Sequence, residues 1–301
     1  MPLLAMADSL FPEEFLKQLE GLHLLARQVI RGRMRAERRS LKRGAGLEFS
    51  DYRPFVSGDD IKSIDWAAFA RSRHLLLKLF EEEEDLPVHV LLDASVSMDF
   101  GSPSKFDLAR RLSAGLAFLA LANLDRVGIA LVGNPSLRNW APSRGRAKFF
   151  QLLEYLRQTH TGGGAVPLAD AVRLWLATKP QRGLVIWITD LYGRTLDDAL
   201  LALDRIRYSR HEIGVIQIRA ADELQAGNYG EFDLSEVESG EVRPVIIDRA
   251  VARAYEAKVE EYQERVARYC RRYGIALMVA DAGESAADIL KRSLLEGGFV
   301  R

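Results

Sequence analysis

The sequence predicts an α/β fold in which a doubly wound, mainly parallel sheet of six strands carries helices on both faces. Short apolar runs alternate with amphipathic helical segments from Leu86 to Leu295. Helices that connect parallel strands form right-handed crossovers and cover both faces of such a sheet. The composition agrees, because 301 residues with 48% hydrophobic and 28% charged residues are typical of a globular protein. Two additions are predicted, an N-terminal helical and β extension and a β-hairpin insertion.

Three segments are predicted along the chain: a basic amphipathic helix in residues 1–43, an extension with short strands in 44–85, and the α/β domain in 86–301 with its hairpin at about 222–248. Eight basic residues and one acidic residue lie between Arg27 and Arg43. They indicate either an anionic partner, such as nucleic acid or a membrane surface, or a solvated helix end that docks on the acidic block 81–85. The second interpretation is preferred, because no aromatic residues interleave the basic ones as a base-stacking surface requires.

The elements of the α/β domain follow from their apolar patterns. Buried parallel strands are continuous apolar runs, whereas amphipathic helices repeat apolar residues every three to four positions. The predicted strands are 88–92, 127–132, 184–188, 213–218 and 275–279, with Leu75–Phe80 as a strand at a sheet edge beside the hairpin. The predicted helices are 105–124, 146–158, 167–178, 195–210, a tyrosine-striped helix from Tyr255 to Gly274, and 285–295. The tyrosines are assigned to packing. The runs 232–237 and 242–247 predict the hairpin.

Two carboxylates follow predicted parallel strands, where ligands of open α/β sheets bind. Asp93 follows the first of these strands and is succeeded by Ser95 and Ser97, while Asp190 follows the strand 184–188. One carboxylate and two hydroxyls in a tight turn are hard oxygen ligands that suit Mg²⁺. The sequence alone also allows a second interpretation, in which Asp93 and the serines cap the helix that begins near Lys105.

These residues carry a family resemblance. The Asp-x-Ser-x-Ser pattern of Asp93 to Ser97 resembles the metal-ion-dependent adhesion site of von Willebrand factor A domains. The segment Arg53–Trp66, continuing to Ala70-Arg71, is similar to the signature of a bacterial family catalogued as domain of unknown function 58. So is Ser97–Gly101, with Lys105–Arg110 after it. The resemblance extends from about Gly44 to the C-terminal helices. It implies a von Willebrand A-like fold and a non-enzymatic, protein-binding role together with a MoxR-type AAA+ ATPase, in the assembly or activation of protein complexes.

One position departs from the pattern that the resemblance implies. Such sites usually take a third hydroxyl from a Gly-Gly-Thr-Pro-Leu type loop, but here Val166 precedes Pro167 and Leu168. Valine has nearly the shape of threonine and offers no oxygen, and Thr161 lies five residues too early. The expected metal ligands are therefore Asp93, Ser95, Ser97 and Asp190. They predict a weak Mg²⁺ site.

A second polar cluster precedes the α/β domain. Gly58-Asp59-Asp60 predicts a turn, and Asp65-Trp66 follows it closely. The preferred interpretation is a network that fixes the extension, with Arg71 pairing with Asp65 or Asp59. A second binding site is the alternative.

Several enzyme classes lack their motifs in this sequence. No Gly-Lys dipeptide and no Gly-x-Ser-x-Gly elbow occur, which excludes a P-loop and a typical serine hydrolase. Lys and Arg total 42, as do Asp and Glu, so the chain is not a generally polycationic nucleic-acid binder, and no specific nucleic-acid partner is expected. The enzymatic alternative that remains is a Mg²⁺-assisted phosphohydrolase that uses the crevice between Asp93 and Asp190.

The cellular compartment is predicted from three features. The single cysteine, Cys270, fits a reducing environment. No uncharged apolar run approaches the length of about 20 residues that a transmembrane helix needs. Acidic residues stand near the N-terminus where a signal peptide would carry a basic start. A cytoplasmic protein without a transmembrane segment is expected.

Overall fold

A computed structural model describes residues 10–40, 49–56, 59, 61, 64–80, 87–133, 139–162, 166–192, 195–224, 230–235 and 242–296. The chain divides into two compact units, one made of residues 1–29 and 86–301 and the other of residues 30–85. The three-part division drawn from the sequence stays a prediction.

The strands are β1 Phe49–Pro54, β2 Leu76–Phe80, β3 Val88–Asp93, β4 Val127–Val132, β5 Asn139–Ser143, β6 Leu184–Thr189, β7 Glu212–Arg219, β8 Gly230–Ser235, β9 Val242–Ile247 and β10 Ala276–Asp281. The helices are α1 Glu13–Ser40, α2 Trp66–Ser72, α3 Lys105–Ala122, α4 Phe149–Gln158, α5 Leu168–Ala177, α6 Leu196–Tyr208, α7 Ala221–Leu224, α8 Arg249–Tyr273 and α9 Ala286–Glu296. Among the described residues, no helix is both long and apolar enough to cross a bilayer.

The larger unit is built on a six-stranded sheet with the order β10-β7-β6-β3-β4-β5. The strands are parallel except β5, which runs antiparallel to β4. The chain proceeds from β3 to one side through β4 and β5, and then returns to the other side of β3 through β6. The winding therefore reverses at β3, and a crevice is expected at the carboxyl ends of β3 and β6. This topology confirms the predicted doubly wound, mainly parallel sheet.

Both faces of the sheet are covered. One apolar cluster joins strand residues such as Leu92 and Ile188 to α3, α4, α9 and the first half of α1. The other joins Leu91 and Trp187 to α5, α6 and α8. Successive strand residues thus enter opposite clusters, which explains why the parallel strands are continuous apolar runs rather than alternating ones.

The predicted strand 275–279 is present as β10, but β5 of this sheet is not among the predicted strands. Leu75–Phe80 was expected at a sheet edge, but β2 pairs antiparallel with β1 in a separate two-stranded sheet. The sheet edge is instead formed by β5, whose side chains are half-buried or exposed. An edge strand that contains Pro142 has no apolar run, so its pattern resembles a loop.

The smaller unit contains the predicted polar cluster, and the structure shows the contacts of two of its residues, Asp65 and Asp59. Asp65 caps α2 by accepting hydrogen bonds from the Ala67 and Ala68 backbone N–H groups at 3.0 and 3.1 Å. The Tyr52 hydroxyl donates to the same carboxylate at 2.7 Å. Asp59 accepts two hydrogen bonds from Arg53, which the sequence analysis did not consider as its partner. Gly58 and Asp60 lie outside the described residues.

The predicted hairpin is present, because β8 and β9 pair antiparallel. The helix that follows, α8, begins at the Asp248 cap and ends at Gly274, whose φ of +65° is a left-handed conformation that glycine adopts without strain. Tyr262 and Tyr269 of its stripe pack against the apolar cluster as predicted. The basic run at Arg27 to Arg43 lies outside the residues whose side chains the structure describes, and both interpretations of it stay open.

Candidate functional site

A row of buried polar side chains lies at the carboxyl ends of three neighbouring strands. Asp93 ends β3, Thr189 ends β6, and Gln217 is paired in register with Thr189 on β7. All three are fully buried. Each lies two positions after a residue of the α5–α6–α8 cluster, so the three side chains share that face of the sheet. The switch in winding and the polar row therefore coincide.

Asp93 is held by two hydrogen bonds. Its Oδ1 accepts from the Ser95 backbone N–H at 2.9 Å, and its Oδ2 accepts from the Thr189 hydroxyl at 2.6 Å. The Thr189 Oγ1 in turn accepts from the Leu191 backbone N–H at 2.9 Å, which directs the hydroxyl proton of Thr189 at Asp93. Thr189 thus positions the Asp93 carboxylate. The sequence does not predict the role of Thr189, because only the pairing of β3 with β6 places it beside Asp93.

The two serines of the motif face each other. Ser95 Oγ and Ser97 Oγ lie 3.0 Å apart, and both residues are half-buried. Ser95 begins a short 3₁₀ turn, Val96–Asp99, without a side-chain capping bond to it. The capping interpretation of Asp93 and the serines is wrong, because Ser104 caps α3 by accepting from the Asp107 backbone N–H.

The electrostatics of Asp93 favour a nearby positive charge. Burial raises the pKa of Asp93 to about 6, and the negative charge of Asp190 acts in the same direction. Hydrogen bonds from Thr189 and Ser95 lower the pKa in part. A buried carboxylate beside a second carboxylate is stabilised by a nearby cation or by taking up a proton.

Asp190 is paired with Lys105, and both its carboxylate oxygens accept hydrogen bonds. The Lys105 ammonium donates to Asp190 Oδ2 at 2.8 Å and to Glu223 Oε1 in a second, short contact. Asp190 Oδ1 accepts from the Tyr192 backbone N–H at 2.9 Å. The Lys105 side chain is completely buried, and its ammonium lies 5.2 Å from the centre of the Tyr192 ring. The site therefore contains an internal cation.

The sequence contains a signal for the burial of Lys105 that was not among the predictions. Lys105, Leu108, Ala109 and Leu112 have the spacing of one helix face, and all four are buried. A lysine on a buried stripe needs carboxylate partners, since a buried charge is costly unless it is paired. The partners themselves, Asp190 and Glu223, are distant in sequence and are found only in the fold.

The described residues fit a divalent cation in part. Asp93, Ser95 and Ser97 gather hard oxygen ligands, and Gly133 leaves room beside them, since a Cβ on it would lie 3.0 Å from Asp93 Oδ1. Among the described residues, no three His, Cys, Asp or Glu side chains form a metal set, so a cation here depends on the serine hydroxyls. The ligand role of Asp190 does not fit the observed arrangement, because its carboxylate is paired with Lys105.

The third hydroxyl of the expected loop is absent. The Val166 side chain packs against the apolar cluster on the α5 and α6 face. The Gly162 backbone N–H donates to the Ala94 carbonyl at 2.9 Å and brings the loop that contains Thr161 next to the end of β3. Residues 163–165 of the loop lie outside the described part of the chain.

The chain is similar to several known proteins in sequence or in structure. The chain is 28% identical over 265 residues to the uncharacterized protein Rv1480 of Mycobacterium tuberculosis, covering 86% of this chain and 82% of the relative. Among solved structures, BatB of Bacteroides thetaiotaomicron is 17% identical, with a TM-score of 0.38 over 70% of this chain and 98% of that one. The SpRpn10 VWA domain is 13% identical, with a TM-score of 0.42 over 69% of this chain and 95% of that one.

Because these scores and identities are low, the fold rests on the strand order described above. The chain has an α/β fold with a six-stranded, mainly parallel sheet. The model of one family, described as protein of unknown function DUF58, matches residues 51–265, which is more than half of the sequence. The chain belongs to that family.

Proposed function

We propose that this chain is a protein-interaction module that binds its partner at the carboxyl-end edge of the sheet, around Asp93, Ser95 and Ser97. The observation that carries the proposal is the pair of half-buried serine hydroxyls 3.0 Å apart, held above a buried and fixed carboxylate at the point where the winding reverses. The residues supply directional polar groups on a rigid strand end, which suits the recognition of a partner's polar side chain.

The proposal includes a weak dependence on Mg²⁺. Asp93, Ser95 and Ser97 would hold the ion, which when bound would offer an open coordination position to a partner's carboxylate. Support comes from the chemistry of these oxygens and from the raised pKa of Asp93, since burial beside Asp190 makes a nearby cation favourable. Val166 supplies no oxygen, so the affinity for Mg²⁺ in the absence of a partner is weak.

The proposed partner is a MoxR-type AAA+ ATPase, with which the chain would act in the cytoplasm to assemble or activate a protein complex. This part rests on the family resemblance of the segments Arg53–Trp66, Ser97–Gly101 and Lys105–Arg110. The site itself selects only the chemistry of the contact, a carboxylate or another hydrogen-bonding group on the partner.

A Mg²⁺-assisted phosphohydrolase is supported less well by the same residues. The Asp93 carboxylate is completely buried and both its oxygens accept hydrogen bonds, so it is not placed to attack a phosphate. Asp190 is bound to Lys105. Incubation with a generic phosphatase substrate and Mg²⁺ tests this function, and turnover that Asp93→Ala abolishes would favour it over the interaction module.

Affinity capture from the native cell, with Mg²⁺ and again with EDTA, tests the proposal. The wild-type chain should retain a MoxR-type AAA+ ATPase, and more of it with Mg²⁺. Ser97→Ala should retain less, because it removes a hydroxyl of the site without disturbing the core. Tyr208→Ala is the matched control, since Tyr208 is exposed at the end of α6, just before the amino end of β7 and so away from the carboxyl ends of the strands. Equal capture by Ser97→Ala and Tyr208→Ala would contradict the proposed surface.

A further inference from the structure

We infer that Lys105 is the resident cation of this site and that its ammonium group sets how strongly the site binds a divalent cation. The inference rests on the proposed metal-binding edge and adds its regulation. The observation that carries it is the completely buried ammonium held between Asp190 and Glu223.

The position of Lys105 is costly for a charged side chain. Lys105 is the first residue of α3, directly after the Ser104 cap. A cation at the first turn of a helix opposes the helix dipole, and burial removes the water around it. The two carboxylates offset both costs, because they bind the ammonium directly. Neither carboxylate belongs to α3, so the lysine serves the strand ends rather than its own helix.

The Lys105 ammonium changes the charge and the ligands available to a metal ion beside Asp93. Asp93, Asp190 and Glu223 bring three carboxylates to this edge, and Lys105 already compensates for one of them. An ion beside Asp93 would be repelled by the ammonium and would find Asp190 engaged. Lys105 therefore lowers the affinity of the site for Mg²⁺, independently of the oxygen that Val166 lacks.

Glu223 is the second support of the lysine. Its Oε2 accepts from the Ala220 backbone N–H at 3.1 Å, and the Tyr255 hydroxyl donates to the Glu223 backbone carbonyl at 2.6 Å. These bonds fix Glu223 while its other oxygen binds Lys105. The ammonium is thus held from two sides, which makes it a stable occupant rather than a transient one.

Charge-matched variants of the full chain test the inference by Mg²⁺ titration in a calorimeter, without any partner. Lys105→Met alone leaves the buried Asp190 and the half-buried Glu223 without their cation and is expected to fold poorly. The double variant Lys105→Met with Glu223→Gln keeps the formal charge of the Lys105, Asp190 and Glu223 group at −1 and frees Asp190. It should bind Mg²⁺ at least about tenfold more tightly than the wild type, because a repelling charge is gone and a ligand is gained.

Glu223→Gln alone is the control. It removes a negative charge and leaves Lys105 on Asp190, so it should bind Mg²⁺ no more tightly than the wild type. Adding Asp93→Ala to the double variant should abolish the gain in Mg²⁺ affinity, which would show that the ion binds at the strand ends around Asp93. A double variant that keeps its circular dichroism spectrum but binds Mg²⁺ no better than the wild type overturns the inference. Because no partner is present, loss of the proposed partner binding would not change these outcomes.

Discussion

At the residue scale, Val166 shows a conflict between packing and ligand chemistry. Its methyl groups join the apolar cluster beside α5, whereas the family pattern expects a hydroxyl there. The motif residues Asp93, Ser95 and Ser97 could be found from the sequence because they are local, and one turn brings them together. Thr189 and Lys105 could not be paired with Asp93 and Asp190 from the sequence, because strand pairing and helix docking create those contacts.

Val166→Thr tests the missing oxygen. Without Mg²⁺ the variant should be slightly less stable, because its hydroxyl would lie half-buried against apolar side chains, and the cost stays below the about 1–3 kcal/mol of a fully buried hydroxyl without a partner. With millimolar Mg²⁺ its melting temperature should rise, since an ion that binds only the native state stabilises it. Thermal unfolding with and without Mg²⁺ measures both effects. Asp93→Ala should remove the response in either background, and a melting temperature of Val166→Thr that ignores Mg²⁺ would contradict the ligand role of this position.

At the element scale, the helices and parallel strands of the larger unit could be predicted from apolar periodicity, since both faces of the sheet are buried. β5 could not, because a half-exposed edge strand lacks that pattern. A close contact between two helices cannot be predicted from apolar periodicity either. Gly115 of α3 is such a contact, since a Cβ added to it would lie 2.2 Å from Leu290 Cδ1 of α9 and 3.3 Å from Leu19 Cδ2 of α1.

Gly115→Ala is therefore expected to destabilise the fold. Overpacking costs about 1–3 kcal/mol, which exceeds the gain in helix propensity of about 0.5–1 kcal/mol. Gly21→Ala is the matched control, because Gly21 is exposed in α1 with nothing within 4 Å of the added Cβ. It should be neutral or slightly stabilising. Urea unfolding compares the two, and an equal free energy of unfolding would show that α3 and α9 separate without cost.

A histidine pair links β3 to the start of β7. The rings of His89 and His211 lie 5.7 Å apart, and both residues are buried. His89 Nε2 lies 2.8 Å from the Gln181 carbonyl, to which it donates. Burial lowers the pKa of both rings, and the charge of His89 lowers that of His211 further. Both histidines are thus kept neutral in the native state.

The pair predicts a loss of stability on acidification. The unfolded chain takes up protons below its histidine pKa of 6.5, whereas the native state does so only at lower pH. The contribution of the two histidines to the free energy of unfolding should therefore fall between about pH 7.5 and pH 5.5, by up to about 1.4 kcal/mol for each histidine. His89→Phe keeps a ring against Trp175 and should lose less over the same range. Urea unfolding at the two pH values checks this, and an identical loss in both proteins would refute it.

At the scale of the whole molecule, the doubly wound sheet explains where the site lies. Reversal of the winding at β3 opens the carboxyl ends of β3 and β6, and the apolar clusters on both faces hold those ends rigidly. The doubly wound topology and the position of the crevice follow from the order of strands and helices, which the sequence displays. The internal ion pair that occupies the crevice follows from contacts between residues 85 and 118 positions apart.

The most direct test of the central claim measures binding to the proposed partner, a purified MoxR-type AAA+ ATPase from the same cell. The dissociation constant is measured with Mg²⁺ for the wild type, Ser97→Ala, Asp93→Ala and Tyr208→Ala. The two variants at the strand ends should bind at least about tenfold more weakly, equivalent to about 1.4 kcal/mol. Tyr208→Ala should bind like the wild type. Unchanged binding by folded Ser97→Ala and Asp93→Ala would contradict the claim that partners are recognised at this edge of the sheet.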